Sequence, residues 1–430
     1  MPVKSLKGGI GVRPLGFGLG SAETEETDPN FNQTVLLLHG DGSEGAGNTA
    51  ALGNPNYKAF KDNSTSAHAL AVAGDAYGND FSPYYYADGY WSVSDLSGSN
   101  YIDITNDSSF VPGTGDFTVE FFLNHSTIAG YQTPFSLGYN GAGDLAIQTG
   151  NGDGRWIVYI SGAAIATESS TTVEANRWYH IAVVRNGSNI VIYRDGVSVA
   201  TGTSSTDINT STNLRIGTGT AFGNPFLGSI SNVRISKSAV YTSAFTAPTT
   251  PLTTSSQSAT NVGLLTCQSN RFLDNSSNSH SLSITGTPKI STNTPFTVTK
   301  TANVGSGFFD GNTDNLTTTG SSDFVFGTND FTAEAWVYPS ALSGIKVVID
   351  LRYNNNSTAD NIAALVLNGA TLICFVSSNK SAGTDIPVII NQWNHLAIQR
   401  ISSTLYFSVN GKVSSTTVAL SDNLNGANQR

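Results

Sequence analysis

Residues 113–122 read GTGDFTVEFF, and residues 327–336 read GTNDFTAEAW. Around the first, Phe117, Val119, Phe121 and Leu123 share one face, while Thr118, Glu120 and Phe122 share the other. That period of two is the mark of a β-strand. The match between the two stretches continues on both sides at an almost constant offset. Upstream, FKDNSTSAHALAVAG (60–74) returns as FLDNSSNSHSLSITG (272–286), keeping the equivalents of Phe60, Asp62, Asn63, Ser64, His68, Leu70 and Gly74. Downstream, Trp178, His180, Ala182, Arg185 and Gly196 return as Trp393, His395, Ala397, Arg400 and Gly411. Self-similarity over so long a period means two copies of one domain.

Each copy reads as all-β. Residues 178–185 (WYHIAVVR) form a second strand, followed by 190–194, the turn Asp195-Gly196 and 197–200. Asp-Gly between β-branched runs predicts a hairpin, because both turn positions need positive φ. The second copy keeps the device as Asn410-Gly411, between LYFSV and KVSS. No segment carries a sustained 3.6-residue apolar period with caps, so helices are incidental. Short strands divided by Gly, Ser and Asn turns predict a two-sheet sandwich.

Composition narrows the function. The 430 residues include 12% charged side chains and a net charge of −10. That is about half the usual ~25% charge, and the balance repels a phosphate backbone, so nucleic acid is not an expected partner. No stretch approaches the ~18–20 apolar residues of a membrane span, so no membrane insertion is expected. The start, MPVKSLKGGIGVRPLGFGLG, lacks the apolar run of a secretory signal. Cys267 and Cys374 do not make a disulfide framework and read as two buried thiols.

VLLLHGDGS (35–43), the FxDxSxxxH segment, the GTGDFTVEFF strand and RWYHIAVVRNGSNIVIYRDG (177–196) carry a resemblance, together with LRIGTG (214–219) and FLGSISNVRISKSAVYT (226–242). They resemble the laminin-G-like, concanavalin-A-like jelly-roll domain, in the variety common in virion proteins of tailed bacteriophages, especially marine cyanophages. The resemblance spans about residues 34–250 and 262–430. It implies an N-terminal arm (1–33), a first jelly-roll (34–248), a linker TTPLTTSSQSATN (249–261) and a second jelly-roll (262–430). Arg430 aligns near Arg215, so the second copy has no counterpart of 214–242. A sandwich without its last strands exposes sheet edges. The expectation is therefore a fragment of a longer protein, or a sheet completed by another chain.

Several residue groups are candidates for chemistry. In the Gly-rich arm, Ile10, Val12, Leu15, Phe17 and Leu19 read either as a disordered tail or as an apolar segment that orders against a neighbouring subunit. Asp62, Asn63 and Ser64, repeated as Asp274, Asn275 and Ser276, are oxygen-rich enough for calcium, which laminin-G-like domains often hold; the plainer reading is an Asx-turn. Tyr84, Tyr85, Tyr86, Tyr90 and Trp91 offer aromatic faces for a sugar, or a loop packed over its own sheet. His39-Gly-Asp-Gly-Ser43 lacks the nucleophile-elbow pattern. His180 and His395, two residues after Trp178 and Trp393, fit packing better than catalysis. Glu120 and Glu334 stand alone mid-strand, where a glycosidase needs a pair of carboxylates.

The expected function is a non-enzymatic virion structural protein: a fibre, spike or decoration subunit, homo-oligomeric and bound to other virion proteins, touching host-surface glycans. It needs no cofactor apart from the calcium considered above. It would be assembled in the host cytoplasm without a signal peptide. The alternatives are a bacterial surface adhesin or carbohydrate-binding protein and, with less support, a polysaccharide hydrolase or lyase.

Overall fold

The computed structural model describes residues 31–39, 60–150, 152–169, 173–219, 224–298, 305–351, 364–376 and 380–424. The arm residues Ile10, Val12, Leu15, Phe17 and Leu19 lie outside them. In chain order the strands are β1 (Leu70–Ala73), β2 (Tyr77–Asn79), β3 (Ser92–Leu96), β4 (Tyr101–Ile104), β5 (Phe117–His125), β6 (Gln132–Leu137), β7 (Leu145–Thr149), β8 (Trp156–Ile160) and β9 (Ala163–Thr167). Then come β10 (Trp178–Asn186), β11 (Asn189–Arg194), β12 (Val197–Thr203), β13 (Leu214–Ile216), β14 (Gly228–Ser236), β15 (Val262–Thr266), β16 (Leu282–Thr285), β17 (Lys289–Ser291) and β18 (Ser306–Phe308). The last are β19 (Asn315–Thr318), β20 (Phe331–Val337), β21 (Ile345–Asp350), β22 (Ala364–Asn368), β23 (Thr371–Val376), β24 (Lys380–Gly383), β25 (Asn394–Ile401), β26 (Thr404–Val409) and β27 (Lys412–Ala419). The fold is all-β, as the alternation predicts.

The compact units are framed differently from the sequence copies. One comprises residues 86–300, and the other joins 1–85 to 301–430. In the 86–300 unit two antiparallel sheets form a jelly-roll sandwich. The first runs β12-β11-β10-β5-β14-β3-β17, with β15 also on β14; the second runs β16-β4-β13-β6-β7-β8-β9. Val119, Phe121, Leu123, Ile181 and Val183 of the first sheet are buried, as are Phe135, Ile147, Trp156 and Val158 of the second. Phe121 meets Trp156 across the sandwich with ring centroids 6.3 Å apart.

The 249–261 stretch is not a tether. Leu252 is buried, and its N–H donates to Asn232 Oδ1 at 2.9 Å. Thr253 and Ser256 offer their carbonyls to the Arg234 guanidinium at 2.7 and 2.9 Å. A buried guanidinium needs acceptors on every face, and this uncharged stretch supplies them.

The second unit repeats these pairings with two strands absent from the described residues. In the 86–300 unit, β13 links the pair β16-β4 to β6-β7-β8-β9, and β14 links β3-β17 to β5-β10-β11-β12. The other unit consists of the pieces those two strands would join: β1-β19, β21-β22-β23-β24, β18-β2 and β20-β25-β26-β27. Its core gathers Leu365, Leu367, Leu396, Ile398, Leu405 and Phe407.

Two devices recur in both units and explain the recurring residues. Arg185 is fully buried, donating to Gly115 O (2.7 Å), Gly113 O (2.5 Å) and Thr206 O (2.9 Å) with its guanidinium over the Phe117 ring. Arg400 does the same with Asn329 O (2.7 Å), Gly327 O (2.9 Å) and Asp422 O (3.0 Å) over Phe331. Each arginine ties the turn before one strand to the loop beyond the hairpin. The hairpin turns have the predicted positive φ, at Asp195 (49°), Gly196 (82°), Asn410 (53°) and Gly411 (78°). Asp195 Oδ1 accepts from His180 N and Asn410 Oδ1 from His395 N, both at 2.9 Å. Cys267 and Cys374 are buried, and burial pushes the Cys267 thiol up to about 12.

Candidate functional site

The Asp-Asn-Ser motif is a pin. Asp274 Oδ1 accepts from the N–H of Leu265 (3.1 Å) and Ser276 (2.9 Å), and Oδ2 accepts from Ser276 Oγ (2.8 Å) and the N–H of His280 (2.9 Å). Asp62 takes the same four donors from Leu37, Ser64 and His68, all at 2.9 Å. Asn63 and Asn275 donate their N–H groups to Leu37 O and Leu265 O. Burial pushes the Asp62 carboxyl up, but the three backbone N–H groups and the Ser64 hydroxyl outweigh it and hold it below its ordinary value. Calcium takes six to eight oxygens. Here both oxygens of each carboxylate already face donors, and no cluster of three His, Cys, Asp or Glu suits a metal among the described residues. The described hydrogen bonds are those of the plainer reading, an Asx-turn.

The aromatic stretch does not form one platform. The seam between units falls after Tyr85. Trp91 is wholly buried, with its Nε1 donating to Tyr86 O at 3.0 Å and its ring edge-on to Tyr86. Tyr90 packs edge-on against Phe296. Trp91 is therefore core rather than a stacking surface, and Ser231 and Asn232 of β14 hold the backbone just before β3: Ser231 Oγ donates to Trp91 O and Asn232 Nδ2 to Gly89 O. Tyr85 and Tyr86 are half-buried. Tyr84 is exposed, with its ring edge-on to Trp336 at 6.1 Å. Burial raises its phenol above the ordinary value; a hydrogen bond with Trp336 works against the rise and the Glu334 charge adds to it.

The informative pair is Glu120 and Glu334, which occupy the same place in the two units. Thr118, Glu120 and Phe122 point away from the sandwich core, yet none is exposed. Glu120 Oε1 accepts from Arg234 Nε (2.8 Å) and Nη2 (2.6 Å), while Oε2 accepts from Tyr241 Oη (2.9 Å) and faces His180 Nε2 (3.1 Å). Burial works against the charge, but His180 and Arg234 prevail and the carboxyl is held low. Tyr241 is raised, by burial first and then by the Glu120 charge. Thr118 Oγ1 donates to Ser238 O (2.8 Å) and accepts from Val240 N (2.9 Å). The segment after β14 is thus laced over the outer face of β5.

In the other unit the same face lies open. Thr332 and Glu334 are exposed, and Glu334 meets only the imidazole of His395, at 3.3 Å, among the described partners. His395 lies 5.2 Å from the Trp336 ring. Tyr84, Trp336, His395 and Glu334 together make a partly exposed surface with two aromatic rings, an imidazole and a carboxylate. Sequence reasoning found Tyr84 and flagged both glutamates. It missed Arg234 and Tyr241, which lie in the unrepeated stretch and carry no periodic signal pointing to Glu120.

Comparison with known proteins agrees with the architecture. The family described as the concanavalin A-like lectin/glucanases superfamily matches residues 96–244 and 310–430. No curated protein matches the chain. Among solved structures, the chain is similar to a Bacteroides ovatus protein assigned to carbohydrate binding (16% identity, 47% of this chain, TM-score 0.34), spanning 62% of that protein's length. It is similar to a SAP-like pentraxin of Limulus polyphemus (14% identity, 48% of this chain and 96% of that one, TM-score 0.33). It is also similar to domains LG4-5 of the mouse laminin alpha1 chain (11% identity, 81% and 82%, TM-score 0.30). Likeness at this level concerns the fold alone.

Proposed function

The chain belongs to the concanavalin A-like lectin/glucanase superfamily, and from that premise we propose that it is a non-enzymatic structural protein of a bacteriophage virion. In this reading it is a homo-oligomeric fibre, spike or decoration subunit on the particle's exterior. The resemblance of its motif set to phage virion proteins supports the setting, as does a charge content of 12%. The observation that carries the non-enzymatic part is Glu120. A glycosidase holds two carboxylates about 5–10 Å apart, one of them free to give up a proton and both open to substrate. Glu120 is wholly buried and both its oxygens are filled by Arg234, His180 and Tyr241. Its role is to fix a strand.

A glycan-binding reading is favoured by a different observation, the exposed Tyr84 beside Trp336 and Glu334. Aromatic faces pack on sugar C–H groups and a carboxylate accepts their hydroxyls. Immunogold electron microscopy of purified particles, with antibody against residues 86–300, tests the virion proposal: regular labelling is expected, and its absence from particles refutes it. A glycan array with the wild-type chain and Tyr84→Ala tests the second reading, which predicts signal that the variant loses.

A further inference from the structure

The outer face of the second sheet in the 86–300 unit gathers three tyrosines. Trp156, Val158 and Ile160 of β8 are buried in the core, so by alternation Tyr159 faces outward. Its partners in register are Ala146 of β7 and Ala164 of β9. Small neighbours on both sides leave the flanks of its ring uncovered by the sheet. Tyr139, just past β6, tilts against it with ring centroids 5.8 Å apart. Tyr131, just before β6, is 45% exposed, and among the described residues no other aromatic side chain of this unit is exposed.

Two buried amides hold the group in place. Gln148 Nε2 donates to Tyr139 Oη (2.9 Å) and Thr133 Oγ1 (3.0 Å). Gln132 Nε2 donates to Thr127 O (2.7 Å) and Ala129 O (3.3 Å), while its Oε1 accepts from Leu227 N (3.0 Å) and faces His125 Nδ1 (3.2 Å). That bracket fixes the turn from which Tyr131 projects. An exposed ring on a fixed mount loses little freedom when a ligand covers it. The group is also neutral. Burial pushes the Tyr159 phenol up, the phenols of Tyr139 and Tyr131 add to the rise, and no carboxylate or cation contributes. Among the described residues the hydroxyls of Tyr131 and Tyr159 have no hydrogen-bond partner. A charged ligand would find no ion pair here, and a purely apolar one would leave those hydroxyls unsatisfied. A ligand with C–H faces and neutral hydroxyls meets both demands.

We infer that Tyr131, Tyr139 and Tyr159 form a binding site for a neutral saccharide. The rings of Tyr131 and Tyr159 pack on sugar C–H faces, and their hydroxyls exchange hydrogen bonds with sugar hydroxyls. Tyr139, held by Gln148, backs Tyr159 and fixes its tilt. The site shares its ligand class with the Tyr84 reading above, but it lies in the other unit, on different residues and without a carboxylate.

Isothermal titration calorimetry of the full chain tests the site, with maltohexaose, cellohexaose, laminarihexaose and chitohexaose as neutral probes and hexagalacturonate as the charged one. Saturable binding of at least one neutral probe is expected. Tyr131→Ala and Tyr159→Ala should each weaken it at least about tenfold, as truncation of an aromatic anchor does, while Tyr84→Ala leaves it unchanged. Tyr131 is exposed, so its variant folds. Tyr159→Phe keeps the ring and should weaken binding with the Tm unchanged. Failure of every neutral probe to bind, affinity unmoved by both alanine variants, or tighter binding of hexagalacturonate would overturn the inference. Loss of binding in Tyr84→Ala with Tyr131→Ala unchanged would overturn it as well and leave the Tyr84 reading standing. The Tyr84 reading fails separately, when Tyr84→Ala keeps every signal on the array.

Discussion

Arg234→Gln is the sharpest perturbation of the Glu120 clamp. Arg234 is wholly buried, gives two hydrogen bonds to Glu120, and gives three more to Thr253 O, Ser256 O and Ser256 Oγ. Without it a buried carboxylate keeps only His180 and Tyr241, and two carbonyls lose their donor. Breaking one side of a buried ion pair costs about 3–5 kcal/mol. A domain of this size loses roughly 2–4 °C of Tm per kcal/mol, so the 86–300 transition should fall by roughly 6–20 °C. Scanning calorimetry of the full chain measures the fall, and hydrogen exchange assigns it to β5, β10 and β14. Glu334→Gln is the control. Its partner contact is exposed and worth about 0–1 kcal/mol, a shift of at most ~4 °C. The double variant Arg234→Gln, Glu120→Gln should recover part of the loss, because it removes the uncompensated charge. Equal shifts for Arg234→Gln and Glu334→Gln, or no recovery in the double variant, would refute the clamp.

Acid should weaken the 86–300 unit through His125. Burial lowers this imidazole to about 4, only partly offset by its contact with Gln132, so the unfolded chain takes up its proton first. Stability is then lost as pH falls from about 6.5 to about 4, by about 3 kcal/mol, and His125→Asn should flatten urea-denaturation midpoints across that window. Glu120 and, in the other unit, Asp62 are shifted in the same direction: their low folded values stabilise at neutral pH, and that contribution disappears as pH falls through them. Gly196→Ala should destabilise by more than about 1 kcal/mol in denaturant melts, because φ is 82° and a Cβ would lie 1.9 Å from Phe245 O. Asp274→Ala should cost about 1–3 kcal/mol by leaving buried N–H donors unsatisfied, while calcium or a chelator leaves the wild-type Tm unchanged.

The strands and hairpin turns were legible because their causes are local. Alternation in FTVEFF and the demand of Asp195-Gly196 for positive φ do not depend on the rest of the chain. The recurring arginines were visible as a pattern, although their task needed coordinates, since their acceptors are backbone carbonyls that carry no sequence signature. The seam between units was not legible. A repeat reveals its period but not its phase, and the pairing of β16 and β17 with β4 and β3 far upstream leaves no local trace. The aromatic stretch misled for a related reason: Trp91 and Tyr84 look alike in composition, and only long-range packing sends one into the core and leaves the other exposed. The uncharged 249–261 stretch resembled a linker because hydrogen-bond acceptors need no charge.

The offset between sequence copies and folded units bears on how such a chain can grow. In the 86–300 unit, the opening segment of the second copy closes the body of the first. A genetic block cut at any phase of the period, once duplicated, places a closing segment behind each body. Duplication therefore need not respect the fold's own seam to yield a whole sandwich in the interior of the array.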